Sequence, residues 1–185
     1  MLSKRLTIIA VITLLAGVGI VGCSGGSADH SAQYRQLVDK YVAAYNNHDI
    51  DEVARLYDAN AMLLYSDSPT PRFGRQQVID GLNSFFIAFP DVRMDYSFFM
   101  SDSTFFCIEA TWKGTQTGPL QSSVGPVPPT GRTVEMRFAM IAEVSPEGLI
   151  VSDRGYYNVQ DFIRQLFPKG MPRMTSEPDT SSKKK

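Results

Sequence analysis

The sequence predicts an α+β domain, because helical patterns fill its first half and strand patterns fill its second half. From Tyr34 to Phe89 apolar residues recur mainly at the spacing of amphipathic helices. From Thr104 to Asn158 they mostly alternate with other residues, as in strands with one buried face. The chain has 185 residues, 43% of them hydrophobic, which suits one domain with a single core. This order of elements is typical of a curved sheet folded over a layer of helices.

The first helix has the clearest pattern. Its apolar residues follow helical spacing and are Tyr34, Leu37, Val38, Tyr41, Val42 and Tyr45. Residues 46–49 predict its end, and Asp51 is expected to cap a second, short helix. The inner face of that second helix is predicted to carry Val53, Leu56 and Tyr57. A short strand is predicted from Ala61 to Tyr65.

A third helix is predicted after the turn residues 68–71. It starts near Gly74 and ends at Pro90, because proline cannot continue a helix. Its inner stripe consists of Val78, Leu82, Phe85, Phe86 and Phe89.

The second half predicts strands at residues 94–100, 104–113, 133–144 and 149–158, and a final helix at 161–167. The second of these strands places on one face Phe106, Ile108, Ala110 and Trp112. The third places on one face Val134, Met136, Phe138, Met140, Ala142 and Val144. The segment Pro146-Glu147-Gly148 predicts a hairpin turn, and the long Gly/Pro-rich loop from Gly118 to Gly131 is either functional or mobile.

The amino terminus has the parts of a secretory signal. Lys4-Arg5 precedes an uncharged apolar run from Leu6 to Gly22. Residues 20–23, Ile-Val-Gly-Cys, resemble the lipobox of bacterial lipoproteins, in which the cysteine receives a diacylglycerol. The alternative is an uncleaved membrane helix, for which the run is short.

These features predict the organisation of the whole chain. Residues 1–22 are expected to be a signal peptide, Cys23 the lipidation site, and residues 23–33 a flexible tether. Residues 34–167 form the domain, and the polar tail 168–185 is expected to be disordered. A lipid on Cys23 would hold the domain at a membrane of the cell envelope, facing the periplasm or the outer cell surface.

Four segments, taken in order, resemble the SnoaL-like polyketide cyclases and ester cyclases of the NTF2-like superfamily. They are residues 89–91 (Phe-Pro-Asp), 112–119 (Trp-Lys-Gly-Thr-Gln-Thr-Gly-Pro), 128–132 (Pro-Pro-Thr-Gly-Arg), and 148–151 (Gly-Leu-Ile-Val) followed by 156–158 and 165–166. The resemblance covers about residues 34–167. It implies an NTF2-like cone, a curved mixed or antiparallel sheet wrapped over about three N-terminal helices, and a hydrophobic pocket for a small, partly apolar ligand.

The resemblance also implies a catalytic group that this chain lacks at the matching position. Enzymes of the family form or break carbon–carbon bonds through an enolate, with one buried Asp as general base. By spacing from Gly148 and from residues 165–166, the position of that Asp falls on Asn158, whose amide cannot accept a proton at neutral pH. A Gly-Thr-His-Thr-Gly segment of relatives reads Gly-Thr-Gln-Thr-Gly here, with Gln116 in place of the histidine. Asn158 and Gln116 can still form hydrogen bonds to a ligand, so both are candidate pocket residues. The two histidines, His30 and His48, lie in the tether and in a turn.

The last strand supplies the main candidate ligand contacts. Its two-residue period puts Ser152, Arg154, Tyr156 and Asn158 on one face. If this face lines the cone, Arg154 can bind a carboxylate or an enolate and Tyr156 can donate a hydrogen bond. The alternative is a solvated face, with Val151 and Tyr157 inward, and the resemblance favours the pocket. The carboxylates Asp153 and Glu109 fall on the opposite parity and are expected to be solvated.

Aromatic residues supply further candidates. Trp112 and Phe86 are either pocket walls or plain core residues. Tyr45 and Tyr57 either place hydroxyls in the cavity or pack at its rim. Cys107 lies in an apolar run with no histidine nearby in sequence, so it is interpreted as a small core side chain.

Several functions lack support in the sequence. There is no His/Cys/carboxylate cluster at ligand spacing and no phosphate-binding glycine loop, so neither a metal nor a cofactor is expected. The net charge is −1, which indicates no nucleic-acid partner. The leading hypothesis is a lipid-anchored domain that binds a small molecule without the family's chemistry. The alternatives are an active cyclase, isomerase or hydrolase, and a homodimeric interaction module of the cell envelope.

Overall fold

The computed structural model describes residues 30–122 and 125–170, and it contains four helices and six strands within them. The helices are α1 (Ser31–Asn46), α2 (Ile50–Arg55), α3 (Arg75–Ala88) and α4 (Val159–Leu166). The strands are β1 (Tyr57–Tyr65), β2 (Arg72–Phe73), β3 (Arg93–Ser101), β4 (Phe105–Thr115), β5 (Thr133–Val144) and β6 (Ile150–Tyr157). The predicted signal peptide and Cys23 lie outside the described residues, as does most of the predicted tail.

The strands form one mixed sheet in the order β2-β1-β6-β5-β4-β3. The β1–β6 pair is parallel and every other pair is antiparallel. This arrangement brings the last strand next to the first long one, so β6 lies near the middle of the sheet with neighbours on both sides. The α+β cone predicted from the sequence is confirmed.

The helices pack against one face of the sheet, called here the inner face. It carries the side chains that the alternation of β4 and β5 predicted to be buried, including Ile108 and Met140, which are 0% and 2% exposed. Phe138 is only half-buried. The other side of the sheet is called the outer face.

Three element boundaries differ from the prediction. Helix α1 begins at Ser31, so residues 31–33 belong to the helix and not to the tether. Asp49, and not Asp51, caps α2, because its carboxylate accepts a hydrogen bond from the Glu52 N–H at 2.9 Å. Tyr57 is the first residue of β1 and not part of α2, and this position places its side chain in the candidate site described below.

The edge strand β3 is joined to helix α1 by the side chain of Asn46, which forms the pair of hydrogen bonds that the backbone of a neighbouring strand would form. The Asn46 amide donates to the Met94 carbonyl at 2.8 Å and accepts from the Met94 N–H at 2.7 Å. Tyr96 adds a hydrogen bond from its hydroxyl to Asp39 at 2.6 Å. These contacts satisfy part of a sheet edge that would otherwise be open to another strand.

Within residues 30–122 and 125–170, no helix is long and apolar enough to cross a membrane.

Candidate functional site

The inner face carries one buried carboxyl group, that of Asp153 on β6. Asp153 is paired across the sheet with Ala142 on β5 and with Leu63 on β1, and both of these neighbours are buried. Directly paired residues point to the same side of a sheet, so Asp153 points inward, where it is 2% exposed. The prediction that Asp153 is solvated is therefore wrong.

Two tyrosine hydroxyls hold this carboxyl group. The hydroxyls of Tyr57 and Tyr65 donate to the same oxygen, Asp153 Oδ2, at 2.7 and 2.8 Å. The other oxygen, Oδ1, is buried and finds no hydrogen-bond donor among the described residues. A buried acceptor without a donor is rare, because it forgoes the hydrogen bond that water would give it. Oδ1 is thus the unsatisfied atom of the site.

The electrostatics of the site follow from its burial. Loss of solvent raises the pKa of Asp153 above its ordinary value, although the hydrogen bonds from Tyr57 and Tyr65 act in the opposite direction. Burial also raises the pKa of both tyrosines, and the nearby charge of Asp153 raises it further. Both hydroxyls therefore stay protonated and remain hydrogen-bond donors throughout the neutral range.

Local sequence explains how Tyr65 reaches the acid. Tyr65 pairs with Gly155 across β1 and β6, two residues beyond Asp153 on the same face. A Cβ atom on Gly155 would lie 2.6 Å from the Tyr65 ring carbon Cδ1. The missing side chain lets the Tyr65 ring lie over β6 and place its hydroxyl on the carboxyl group.

Tyr57 is fixed through its backbone. Arg75, the first residue of α3, donates from Nε and Nη2 to the Tyr57 carbonyl oxygen at 2.9 and 2.5 Å. This two-donor contact ties the start of α3 to the start of β1. Arg75 thereby positions the residue whose hydroxyl holds Asp153.

A third tyrosine packs against this network. The ring centroid of Tyr41 lies 6.4 Å from that of Tyr57. Burial of the hydroxyl raises the pKa of Tyr41, yet the residue is only half-buried. Tyr65 is half-buried too. Tyr57, Asp153 and Tyr65 therefore form one hydrogen-bonded series, and Tyr41 packs against its Tyr57 end.

The predicted aromatic walls lie inside the domain. Phe86 packs edge-on against Tyr45 at 5.1 Å and stacks on His48 at 4.2 Å between centroids. Trp112 contacts Phe85, Phe89 and Phe162 in edge-to-face geometry. All of these rings belong to, or pack against, the inner layer, and they make the surroundings of the site apolar.

The prediction that Arg154 and Tyr156 line the cone is wrong, because the inward parity of β6 is the other one. Arg154 pairs with Ile141 and Tyr156 pairs with Ala139, on the outer face. The Arg154 guanidinium is engaged by Glu143 at 3.2 Å, and Tyr156 is 49% exposed. The alternative interpretation is correct for Tyr157, which points inward, but not for Val151, because Ile150 pairs with the buried Val144. Ser152 is on the outer side by register but is 4% exposed, so that face is not uniformly solvated.

Asn158 is not an inward amide either. It follows the end of β6 and is exposed, and its side-chain oxygen caps α4 by accepting from the Asp161 N–H at 3.0 Å. An asparagine before a helix is a preferred cap, because its oxygen satisfies a free backbone N–H. The residue at the position matched to the family's base is thus a helix cap here.

Gln116 is fully buried, but its amide is used by the protein itself. Its Nε2 donates to the carbonyls of Gly118 and Pro128 at 3.1 and 3.2 Å, and its Oε1 accepts from the N–H and hydroxyl of Thr130 at 3.1 and 2.7 Å. Gln116 therefore organises the long loop after β4, and the predicted ligand contact has no free polar atom to use.

The remaining polar candidates are placed away from the acid. Glu109 is exposed on the outer face, as predicted. His48 lies in the turn after α1 with a positive φ of 56°, and His30 contacts Gln33. The prediction that Cys107 is a core side chain is wrong, because it alternates with the buried Phe106 and Ile108 and is half-buried on the outer face. Partial burial raises the pKa of its thiol. In the part of the chain that the structure describes, no three or more His, Cys, Asp or Glu are grouped to bind a metal.

The fold and the site together define a class of protein: a mixed-sheet cone whose apolar interior holds one carboxyl group between tyrosine hydroxyls. The family model described as SnoaL-like polyketide cyclase matches residues 35–166. The chain belongs to this SnoaL-like family. It matches none of the curated proteins with which it was compared.

Solved structures share the fold at low sequence identity. AclR from Streptomyces galilaeus is 18% identical, with a TM-score of 0.64 over 77% of this chain and 87% of that one. A SnoaL-like protein from Jannaschia sp. CCS1 is 15% identical, with a TM-score of 0.66 over 75% and 94%. SalBIII, an epoxide hydrolase/cyclase-like enzyme of pyran ring formation in salinomycin, is 18% identical, with a TM-score of 0.59 over 70% and 94%.

Proposed function

We propose that this domain binds a small, partly apolar molecule in the cone and that Asp153 transfers a proton to or from it. The observation that carries the proposal is the buried carboxyl group of Asp153, with Oδ2 held by two hydroxyls and Oδ1 without a donor. Membership of a cyclase family and the fold of SalBIII support small-molecule chemistry. The walls that we propose for the ligand are Tyr45, Tyr57, Phe86 and Trp112.

The chemistry suits removal of a proton from carbon next to a carbonyl group. Burial raises the pKa of Asp153 toward the working range of a general base. Asp153 Oδ1 takes the proton, the electron pair of the broken C–H bond moves into an enolate, and the same oxygen returns the proton in a later step. The Tyr57 hydroxyl keeps the carboxyl group in one orientation throughout.

Access to Oδ1 requires a side chain to move. The atom has less than 1 Å² of accessible surface, so a ligand reaches it only when the cover opens. Tyr41 and Tyr65 are the half-buried members of the network and therefore the side chains that we expect to shift. Displacing them exchanges internal hydrogen bonds for bonds with the ligand.

The test is hydrogen–deuterium exchange of a simple aryl ketone, tetralone, followed by NMR in D₂O. We expect the chain to accelerate loss of the protons next to the carbonyl, and Asp153→Asn to reduce that rate by about a hundredfold, the usual contribution of a general base. Glu109→Gln, which changes an exposed carboxylate, is the matched control. Equal exchange by the wild type and Asp153→Asn would reject a proton-transfer role.

We also propose that the chain is a lipoprotein anchored through Cys23. The support is the basic start, the apolar run and the closing Ile-Val-Gly-Cys segment at residues 20–23. A Cys23→Ser variant is expected to leave the membrane fraction for the supernatant in a cell fractionation. Retention of that variant in the membrane would instead indicate an uncleaved helix.

A second function, pairing of two copies, is favoured by the outer face. Four exposed large apolar side chains lie there by strand register, namely Phe73, Phe98, Met100 and Tyr156, which are 65%, 47%, 49% and 49% exposed. They lie on β2 and β3, the two edge strands of the sheet, and on β6 near its middle, so apolar side chains are exposed across the width of this face. We propose that a second copy of the chain covers it.

A further inference from the structure

Arg72 shares the inner face with the buried acid. It pairs with Leu63 across β2 and β1, and Leu63 pairs with Asp153 across β1 and β6. The three residues therefore form one row on the same side of the sheet. Two strand spacings separate the backbones of Arg72 and Asp153, or about 10 Å.

The Arg72 guanidinium lies beside this network without an anionic partner. Its central carbon is 5.4 Å from the centroid of the Tyr65 ring, and the residue is half-buried. Among the residues that the structure describes, no carboxylate oxygen lies within 4.0 Å of its nitrogens. By contrast, Arg55, Arg154 and Arg164 each pair with a nearby carboxylate.

The charged and titratable groups around Arg72 are few. The charge of Asp67 acts on Tyr157, the half-buried inner residue at the end of β6. Burial raises the pKa of the Tyr65 and Tyr157 hydroxyls, and the positive charge of Arg72 is close enough to oppose part of that rise. The edge of the inner face thus carries Arg72, which contacts an aromatic ring but has no carboxylate partner among the described residues. Asp153 lies on the same face, near the middle of the sheet.

We propose that Arg72 binds the anionic group of the ligand, so that the substrate class is a partly apolar organic anion such as a carboxylate. This inference rests on the proposed function, since it places the apolar part of the molecule along the inner face toward Asp153. The planar guanidinium offers paired donors that fit the two oxygens of a carboxylate. Arg72 thus takes the carboxylate-binding role that the sequence pattern predicts for Arg154.

Two fluorescent probes with one skeleton test the proposal. Anilinonaphthalene sulfonate is an anion, and phenylnaphthylamine is the same molecule without the sulfonate. Both are titrated into the full chain carrying Cys23→Ser, a change common to every variant. We expect Arg72→Gln to weaken binding of the sulfonate about tenfold, the size of one charge-assisted contact, and to leave the neutral probe within about twofold.

Two further variants control for charge and folding. Arg154→Gln removes an arginine from the outer face and should change neither affinity. Arg72→Lys keeps the positive charge but loses the paired donors, so it should weaken binding of the sulfonate and leave the neutral probe unchanged, and it replaces Arg72→Gln if that variant proves unstable. Equal loss of both probes in Arg72→Gln, or equal effects of Arg72→Gln and Arg154→Gln, would overturn the anion site.

The outcomes separate the two proposals. Binding of phenylnaphthylamine by the wild type with no selective effect of Arg72 leaves the proposed function standing and rejects the anion site. If the wild type binds neither probe, both the proposed binding of an apolar ligand in the cone and the anion site are rejected.

Discussion

Asp153 is the residue on which the proposed chemistry of this protein depends. Its carboxyl group is buried, it receives two hydroxyl donors on one oxygen, and it has none on the other. A purely structural acid would be expected to have both oxygens satisfied, because an unmet buried acceptor costs about 1–3 kcal/mol. The incomplete set of partners is therefore the reason to regard Asp153 as a working group.

The raised pKa of Asp153 predicts how stability changes with pH. In the unfolded chain this carboxyl group has its ordinary pKa of 3.8, and in the folded chain the pKa is higher. Between the two values the folded state binds more protons, so the free energy of unfolding falls as pH rises through that window and then levels off. The slope is at most about 1.4 kcal/mol per pH unit for one proton.

Urea denaturation of the wild type and Asp153→Asn across this pH range measures the effect. The stability of the wild type relative to the variant should decline from pH 4 upward and become constant once Asp153 is ionised in the folded state. The same comparison with Glu109→Gln, an exposed carboxylate, should be nearly flat. If the stability of the wild type relative to Asp153→Asn increased with pH instead, the folded state would favour the ionised form of Asp153, contrary to the prediction.

At the scale of elements, β4 and β5 could be predicted from the sequence and the orientation of β6 could not. In β4 and β5 one parity is consistently apolar, so the buried face is evident. In β6 both parities contain polar and aromatic residues: Arg154 and Tyr156 on one side, Asp153 and Tyr157 on the other. The inward side of β6 is identified only by the pairing of Asp153 with the buried Ala142 and Leu63. A register shift after Glu143 means that the sequence alternation alone does not predict this pairing.

The sequence predicts Tyr57 as a candidate but places it on a helix, and it gives no indication of Arg72, for related reasons. Tyr57 lies four residues after Val53, which is helical spacing, but the helix ends at Arg55 and β1 begins at Tyr57. Strand β2 has only two residues, too few for any alternation to appear. The candidate site therefore depends on long-range strand pairing, for which a single sequence offers no local signal.

The end of β6 allows a prediction about α4. Asn158→Ala removes the oxygen that accepts the Asp161 N–H and should lower the free energy of unfolding by about 1 kcal/mol. Asn158→Asp keeps a capping oxygen and should remain within about 0.5 kcal/mol of the wild type, since aspartate caps as well as asparagine. Neither change should alter tetralone exchange. Thermal and urea denaturation measure the first effect, and new turnover in Asn158→Asp would contradict the assignment of Asn158 as a cap.

On the scale of the whole molecule, the sheet divides the protein into two surfaces with different chemistry. The inner face contains the acid, the tyrosines and the aromatic core, and the helices cover it. On the outer face, none of the four described helices covers β4, β5 and β6, and this face carries exposed large apolar side chains and the ion pairs Lys113–Glu135 and Arg154–Glu143. This division separates the proposed ligand site from the proposed association surface, so the two proposals can be tested independently.

Association through the outer face makes the last prediction. We expect the chain to sediment as a dimer, and Met100→Glu or Tyr156→Glu to raise the dissociation constant at least about tenfold, because each introduces a charge where apolar surface would be buried. Ile87→Glu is the matched control, since Ile87 is 61% exposed but lies on α3. Tetralone exchange should be the same in all three variants. A monomeric wild type at every concentration, or equal dissociation caused by Ile87→Glu, would show that the outer face is not the contact between copies.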